Sequence, residues 1–427
     1  MHLNPSSSPT ASIRKLTVWS RGPITRGGCL AGDTLLVNTD SAWPRALRGL
    51  VAGQDGVVLT MREASVLTPQ RPAAYLAHEP AQLYRLTTYT GRAIEATAEH
   101  PFLTRDGWKP LSALGPTDTV AVVAEYPRLF GRGDTEAELI KLLAYLTANG
   151  TTGDGTAPCL GDPEVRADFE AAVAATEDEC VPFDGESDAA RLHVRGRADR
   201  RSKILAYLDL VGVYGVCAPD KFVPDFVFGL RQEKLRLYLN RVFTCDGVAE
   251  TSGRIRYRTT SVRMARQVQH LLARFGVVCL LRGLERDGVF EAVDLSITAK
   301  TDVLRFIDDI GFLGDKANRA EAVRAALYHM RMIEPPPDRL GPILFDRVFA
   351  VEATEVAPVY DLLIDGTHNF VANDFIVRTS SWGALAAPVH AEFSGDTPIA
   401  DAPGELHAVD VSRQFTGARA DQFDASR

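Results

Sequence analysis

Hydrophobic and polar residues alternate with a period of two in short segments near both ends of the chain. Near the N-terminal end, turn residues separate these segments, which span residues 35–37, 56–60, 83–89, 93–97 and 119–123. Segments 347–352 and 359–364 repeat the pattern after a long interval. Successive side chains point to opposite faces of a strand, so both regions are predicted to contribute strands to a mostly β domain.

The interval from 135 to 330 has helical spacing instead. Apolar residues recur there every three or four positions in the segments 136–146, 163–173, 233–239 and 261–272. Short strand patterns at 254–258 and 292–297 alternate with these helices. The simplest interpretation is an α/β unit that interrupts a β domain, whose last strands come from the far side of the interruption.

The composition is that of a soluble globular protein with two or three domains, but the charge is unevenly distributed. The 427 residues are 45% hydrophobic and 24% charged, with a net charge of −8. No apolar run reaches the length of a membrane helix, so we expect a cytoplasmic protein. Residues 191–275 hold 17 Lys and Arg against 7 Asp and Glu, an excess of +10. This region is either a surface that neutralises DNA phosphates or a solvated surface with its counter-charges elsewhere in the fold.

Six cysteines occur without the spacing of a zinc site or a disulfide framework, and one stands in a reactive context. Cys29 begins the segment Cys29-Leu-Ala-Gly-Asp-Thr34 and follows Gly27-Gly28. A thiolate is a strong nucleophile, so Cys29 can attack the carbonyl of Gly28 and replace the peptide bond by a thioester. That reaction needs a histidine to protonate the peptide nitrogen and donors to stabilise charge on the oxygen.

Two further segments complete a set of motifs around Cys29. Thr97-Ala-Glu-His100 follows a predicted strand, and Val359-Tyr-Asp361 precedes a Gly-Thr turn and His368. In this order and strand context, the motifs resemble those of inteins, which are protein-splicing domains of the mostly β Hint (Hedgehog/intein) fold. They are similar to the inteins found in bacterial replicative DNA helicases.

The resemblance implies a role for each of these residues. His100 would protonate the nitrogen of the cysteine, and Thr97 would hold the scissile bond out of planarity. Asp361 would tune the cysteine and shuttle protons, and His368 would assist the last step. Ser380 would begin the downstream flank, and its hydroxyl would take over the upstream segment from the thioester.

The end of the segment departs from the family pattern. Inteins end in His-Asn, and the Asn side chain closes into a succinimide that cuts the chain, whereas this sequence has Arg378-Thr379. Thr379 has no amide nitrogen and arginine stays protonated, so the final cleavage is predicted to fail. Asn369 and Asn373 lie nearby, but both fit internal positions of the family motif and are interpreted as structural turn residues.

Two helical segments of the interrupting unit share a trailing glycine, since the first ends in Asn149-Gly150 and the second in Asp246-Gly247. Together with Lys221-Phe-Val-Pro224, they resemble the paired helices of LAGLIDADG (DOD-type) homing endonucleases, in which one acid from each helix end binds a divalent metal. The resemblance implies double-stranded DNA as a partner, through residues 191–275, and Mg²⁺ for any DNA cutting. At the first metal position Asn149 lacks the negative charge of an acid, so cutting is predicted to be impaired.

The predicted fold is therefore a mostly β Hint domain interrupted by an α/β endonuclease domain. We expect an N-terminal flank at 1–28, Hint parts at 29–128 and 339–379, the endonuclease-like domain at 129–338, and a C-terminal flank at 380–427. The predicted function is self-processing of a monomer at Gly28–Cys29, acting on its own flanks without a cofactor and with possible transfer to Ser380. The alternatives are a DNA-binding or DNA-cutting protein with a relic Hint domain, and a fully inactive remnant.

Overall fold

The computed structural model describes most of the chain between residues 28 and 379. The described ranges are 18–19 (backbone), 28–62, 65–126, 129–148, 161–182, 192–196, 202–286, 288–329 and 338–379. Three predicted positions, Asn149, Gly150 and Ser380, lie outside these ranges, as do the C-terminal flank and most of the N-terminal flank. Within the described ranges, the helices are all too short or too polar to cross a membrane.

Strands dominate residues 28–126, which together with residues 338–379 are called the β domain below. Its first helix is α1 (Leu47–Gly53). The strands up to residue 126 are β1 (Val18–Trp19), β2 (Leu30–Ala31), β3 (Leu35–Val37), β4 (Pro44–Ala46), β5 (Val58–Arg62), β6 (Val66–Gln70), β7 (Ala74–Thr88), β8 (Ala93–Ala96), β9 (Pro101–Thr104), β10 (Gly107–Pro110) and β11 (Thr119–Val123). The predicted strands of this region are confirmed. The predicted N-terminal flank contributes β1, which pairs in parallel with β7.

Helices dominate residues 129–329, called the insert below. They are α2 (Ala137–Ala148), α3 (Pro163–Ala175), α4 (Lys203–Leu210), α5 (Asp225–Phe228), α6 (Gln232–Asp246), α7 (Val262–Ala273), α8 (Lys300–Asp309) and α9 (Asp315–His329). The strands are β12 (Asp178–Pro182), β13 (Leu192–Gly196), β14 (Gly247–Ala249), β15 (Ile255–Thr259), β16 (Leu280–Arg286) and β17 (Val289–Ile297). The four predicted helices are thereby confirmed.

The helix pair α2 and α6 forms the centre of the insert. Both helices bury their apolar faces in one core, where Tyr238 and Phe243 of α6 are fully buried. Strands β14, β15, β17 and β16 follow one another in an antiparallel sheet. The inner face of this sheet is buried on the same core through Ile255, Tyr257 and Leu295.

The last strands of the chain complete the β domain. They are β18 (Arg339–Leu340), β19 (Ile343–Leu363), β20 (Asn369–Ala372) and β21 (Phe375–Arg378). The main sheet runs in the order β1, β7, β8, β2, β19, β11, β21, β9 and β10. The sequence predicted two strands at 347–352 and 359–364, but the structure has one continuous strand, β19, with three register irregularities along β7.

A buried polar network joins the β domain to the insert. Asp374 lies in the turn between β20 and β21 and accepts hydrogen bonds from Tyr126 Oη and from His270 of α7, the latter at 2.8 Å. The guanidinium of Arg92 lies 3.8 Å from the other carboxylate oxygen, and Arg274 contacts the far side of the histidine ring. The His270 and Arg92 charges and the hydrogen bond from Tyr126 outweigh burial and lower the pKa of Asp374 to about 2.

We predict that Asp374→Asn destabilises the protein by about 3 kcal/mol or more at neutral pH, because it leaves the buried guanidinium of Arg92 without its counter-charge. Because the pKa of Asp374 is depressed in the folded state, its stabilising contribution is present above the ordinary carboxyl pKa. That contribution is lost as the pH falls toward 2. Denaturant unfolding at pH 7 and at pH 3 measures both effects.

The control is Asp55→Asn, which removes the carboxylate of an exposed pair with Arg45. Such surface pairs contribute about 1 kcal/mol or less. Equal losses of stability in the two variants at pH 7 would contradict a structural role for the buried network.

Candidate functional site

Cys29 and Thr97 are joined by two reciprocal hydrogen bonds. The backbone N–H of Cys29 donates to Thr97 Oγ1 at 2.9 Å, and the N–H of Thr97 donates to the carbonyl of Cys29, also at 2.9 Å. The neighbouring pair Leu30 and Ala96, in β2 and β8, sets this register. Cys29 and Thr97 are both almost fully buried. The threonine of the motif therefore holds the nitrogen atom of the bond that the cysteine would break.

His100 is fully buried, and neither ring nitrogen has a hydrogen-bond partner of ordinary geometry among the described residues. Burial lowers its pKa to about 4, and a weaker interaction with the backbone of Gly28 opposes that shift. The imidazole is therefore neutral at pH 7. Its edge packs against the ring of Phe102, with 5.6 Å between ring centroids.

Gly28 packs directly against the main chain of His100. A β-carbon built onto Gly28 would overlap Cα, N and Cβ of His100. Because backbone atoms cannot move aside cheaply, glycine is the residue that fits this position. The close approach places the scissile bond, between Gly28 and Cys29, beside the neutral imidazole.

Asp361 lies across from Cys29 in the sheet. In the pairing of β2 with β19, Ala31 faces Val359 and Leu30 faces Tyr360, so continuing the register by one residue sets Asp361 opposite Cys29. The carboxylate is fully buried and accepts a hydrogen bond of 2.7 Å from the N–H of Leu362. Burial raises the pKa of the Cys29 thiol strongly, and the charges of Asp361 and Glu99 add to this. The thiol is therefore protonated in the resting site.

Thr379 is held at the edge of the same centre, while the side chain of His368 lies outside it. The N–H of Thr379 donates to the carbonyl of His368 at 3.1 Å. His368 itself adopts a φ of 52° in the turn before β20, and its side chain is exposed. The structure therefore does not bring the imidazole to the buried site, and its role in a last step stays a prediction. Arg378 lies over Trp108, 5.8 Å from the ring centroid.

Both neighbouring asparagines have structural contacts. The side chain of Asn369 makes two hydrogen bonds with the backbone of Met61, at 2.7 and 2.8 Å. That of Asn373 accepts from the N–H of Leu35 at 2.7 Å and donates to the carbonyl of Ala93 at 3.1 Å. Their amide groups are engaged in joining strands, which agrees with the structural interpretation of both residues.

A second cluster lies where α2 and α6 of the insert end. Lys221 Nζ donates to the carbonyl of Ala148, the last residue of α2, at 3.1 Å. Asp246 ends α6, and burial raises its pKa to about 6 against the opposing charges of Lys221 and Lys316. A second lysine, Lys316, donates to the carbonyl of Cys245 at 2.8 Å. No sequence motif marks this lysine, because only the packing of α9 brings it to the end of α6.

Metal-binding side chains are sparse in the described part of the chain, where no three His, Cys, Asp or Glu side chains are grouped closely enough to hold an ion. At the helix ends, the described groups are one carboxylate and two ammonium groups. Mg²⁺ prefers several oxygen ligands, so these described groups do not by themselves fit the ion. Asn149, the other predicted metal position, lies outside the described residues.

The family of the chain follows from comparison with known proteins. Residues 50–378, well over half of the chain, match the family described as the intein splicing domain. The chain belongs to the intein splicing domain family. This intein has the Hint-like fold of the family, and its residues Cys29, Thr97, His100 and Asp361 meet in one buried centre.

The curated relatives of this intein include replicative DNA helicases. It is 27% identical to the replicative DNA helicase DnaB of Rhodothermus marinus, over 84% of this chain and 46% of that protein. It is 24% identical to DnaB of Synechocystis, over 84% of this chain and 50% of that protein. The chain thus spans about half the length of these relatives. The crystal structure of the Ssp DnaB mini-intein variant M86 covers 85% of this chain and all of its own at 13% identity, with a TM-score of 0.33.

Proposed function

We propose that this intein carries out the first step of splicing, an N-to-S acyl shift at the Gly28–Cys29 bond. One observation supports the proposal above all. The nitrogen of that bond is fixed by Thr97, the carbonyl side packs on His100, and the carboxylate of Asp361 lies opposite the thiol residue. Three chain segments that are far apart in sequence thereby converge on one peptide bond.

The protonation states of the site suggest how the proton travels. The Cys29 thiol is protonated and His100 is neutral at pH 7, so the imidazole can accept the thiol proton as sulfur attacks the Gly28 carbonyl. A bond forms between Cys29 Sγ and the Gly28 carbonyl carbon, and the bond from that carbon to the Cys29 nitrogen breaks. The nitrogen receives the proton from His100 and leaves as a neutral amine. Thr97 keeps the nitrogen aligned throughout by its hydrogen bond.

The C-terminal junction is proposed to be blocked. Succinimide formation requires a side-chain amide nitrogen at the last position, and Thr379 supplies a hydroxyl. The amides of Asn369 and Asn373 are held by backbone contacts on other strands. We therefore propose that the protein forms a thioester at residue 28 and acts on its own flanks, without release of the downstream flank.

We predict that added dithiothreitol cleaves the chain between Gly28 and Cys29, because a free thiol intercepts the thioester. Mass spectrometry of the purified full-length protein should detect the fragment 1–28 and a partner that begins at Cys29. Cys29→Ala should abolish the cleavage. Cys217→Ala removes an exposed thiol away from the site and should cleave like the natural sequence. Full-length chain alone in all three proteins would contradict the proposed function.

We predict that Gly28→Ala slows thiol-induced cleavage by about 100-fold, because the added methyl group displaces the scissile bond from His100. The matched control is Gly115→Ala, since a β-carbon there meets no atom within 4 Å. The rate constant of fragment release, followed by mass spectrometry, measures both changes. Equal rates for the two variants would show that the contact between Gly28 and His100 does not position the bond.

We also propose that the insert is derived from a LAGLIDADG-type homing endonuclease and binds double-stranded DNA. The support is the packed pair α2 and α6, with Asp246 and Lys221 at their ends. Element order adds to it, because α3, β12, β13 and α4 repeat the succession of α7, β16, β17 and α8. Such a repeat is expected when two similar halves form one unit.

The outer face of the four-stranded sheet supplies a basic surface for this proposed partner. Register places Arg256, Arg258 and Arg282 on the same face as Asp294. Asp294 lies 2.7 Å from the guanidinium of Arg256 and 3.8 Å from that of Arg258, and the side chains of Arg258 and Arg282 are exposed. Positive charge therefore remains available for phosphates. We propose that Mg²⁺-dependent cutting is weak, because the described groups at the helix ends do not fit the ion.

We predict salt-dependent binding of the full chain to duplex DNA, measured by fluorescence anisotropy at several salt concentrations. Replacing Arg258 and Arg282 by Gln should lower the slope of log affinity against log salt by about 1 for each arginine that contacts a phosphate. Arg166→Gln, on the exposed face of α3, is the control. Affinity that does not change with salt or with these substitutions would contradict the DNA proposal. Nicking of the same duplex with Mg²⁺ should be slow or absent.

A further inference from the structure

Thr379 stands where the family's cyclising asparagine would be, and its hydroxyl has an unusual environment. The residue is 3% exposed, and Oγ1 has no hydrogen-bond partner among the described residues. Burying a hydroxyl without a partner costs about 1–3 kcal/mol. If this side chain had only a structural role, valine, which has nearly the same shape, would make the folded protein more stable.

The sheet register directs Thr379 toward His100. Val377 of β21 pairs with Phe102 of β9, so continuing the antiparallel register by two residues sets Thr379 opposite His100. Residues two apart on a strand share a face, and directly opposite residues have Cβ atoms about 5 Å apart. Both residues lie one position beyond the ends of β21 and β9, so the continued register puts their side chains on one face, with no hydrogen bond between them in the resting structure.

The shared face is buried and continuous. Phe102 packs its ring on His100 at a centroid distance of 5.6 Å and on Phe375 at 5.9 Å, which confirms that these strands align their side chains on one side. Among the described residues, both ring nitrogens of His100 and the hydroxyl of Thr379 lack a hydrogen-bond partner of ordinary geometry. Gly28 packs on the main chain of the same histidine. Gly28 and Thr379 are thus both directed toward His100, Gly28 by packing and Thr379 by sheet register.

We propose that Thr379 Oγ1 is an acyl acceptor that takes the N-terminal segment from the Cys29 thioester. The proposal rests on the acyl shift described above, which supplies the thioester. The Thr379 oxygen attacks the Gly28 carbonyl carbon, and His100 accepts the hydroxyl proton. The bond between that carbon and Cys29 Sγ breaks, and the sulfur receives the proton. The product is a branched chain in which Gly28 is esterified to Thr379.

The threonine at position 379 blocks release of the downstream flank, and the proposed transfer gives the reaction a different final product. An asparagine at position 379 can cyclise, but it has no hydroxyl to receive an acyl group. Threonine cannot cyclise, but its hydroxyl can receive an acyl group. The next step of splicing would be cyclisation of a side-chain amide at residue 379, and threonine has no such amide. The branched ester therefore persists until water or an added nucleophile releases residues 1–28.

The test uses the full-length protein purified without thiol and denatured in acid, which preserves esters. Tandem mass spectrometry should find Gly28 linked to Thr379, and N-terminal sequencing should find a second N-terminus at Cys29. The ester should be released by hydroxylamine. Thr379→Val, which removes only the hydroxyl, should reduce the branched species at least tenfold. Thr379→Ser should restore it, and Ser380→Ala should leave it in place.

Two further measurements separate the possible failures. Unfolding of Thr379→Val should occur at the same temperature as the natural protein or higher, since an unpartnered buried hydroxyl has been removed. Normal cleavage by dithiothreitol without any branched species would overturn the role of Thr379 and leave the acyl shift intact. A branch that persists in Thr379→Val and disappears in Ser380→Ala would also overturn it. Absence of both thiol-induced cleavage and the branched species in the unsubstituted protein would overturn both proposals.

Discussion

The antiparallel pairing of β19 with β2 and β7 is the constraint on which the rest of the structure depends. Strand β19 pairs with β7 from Val348 to Leu363 and, near its end, also with β2. These contacts connect residues near 30 and 80 with residues near 360, across the whole insert. Closing so long a loop has one large entropy cost. Once the first residues of the two strands have paired, each further pair stabilises the sheet without closing another loop. The position of Asp361 relative to Cys29 follows directly from this register.

Burial determines the chemistry that the centre can support. Because Cys29, His100 and Asp361 are nearly inaccessible to water, the thiol stays protonated and the imidazole stays neutral. A free thiolate is therefore not the resting nucleophile. The proposed acyl shift depends on moving one proton from sulfur to nitrogen through a neutral group that is held in place, and the low pKa of His100 favours prompt delivery of that proton to the departing nitrogen. An imidazole with no other hydrogen-bond partner among the described residues suits that task.

The sequence predicted what depends on local pattern and on known motifs. Strands and helices follow from the periodicity of apolar residues, and the motifs identified Cys29, Thr97, His100 and Asp361. The joining of 347–352 and 359–364 into one strand was not predictable, because residues 353–358 do not alternate in polarity and end in a proline, and only pairing with β7 holds them extended. The cross-strand proximity of Thr379 and His100, and the arrival of Lys316 at α6, depend in the same way on contacts between distant segments.

The buried network around Asp374 couples the insert to the end of the splicing domain. Asn373 and Asp374 both have positive φ, at 46° and 68°, in the two-residue turn that directs β21 toward Thr379. A non-glycine residue in that conformation is strained, and here the contacts of Asp374 with Tyr126 and with His270 of the insert offset the strain. The α7 helix therefore braces the turn from which the terminal strand departs. Because the register of that strand directs Thr379 toward His100, the packing of the insert helps to determine the position of Thr379.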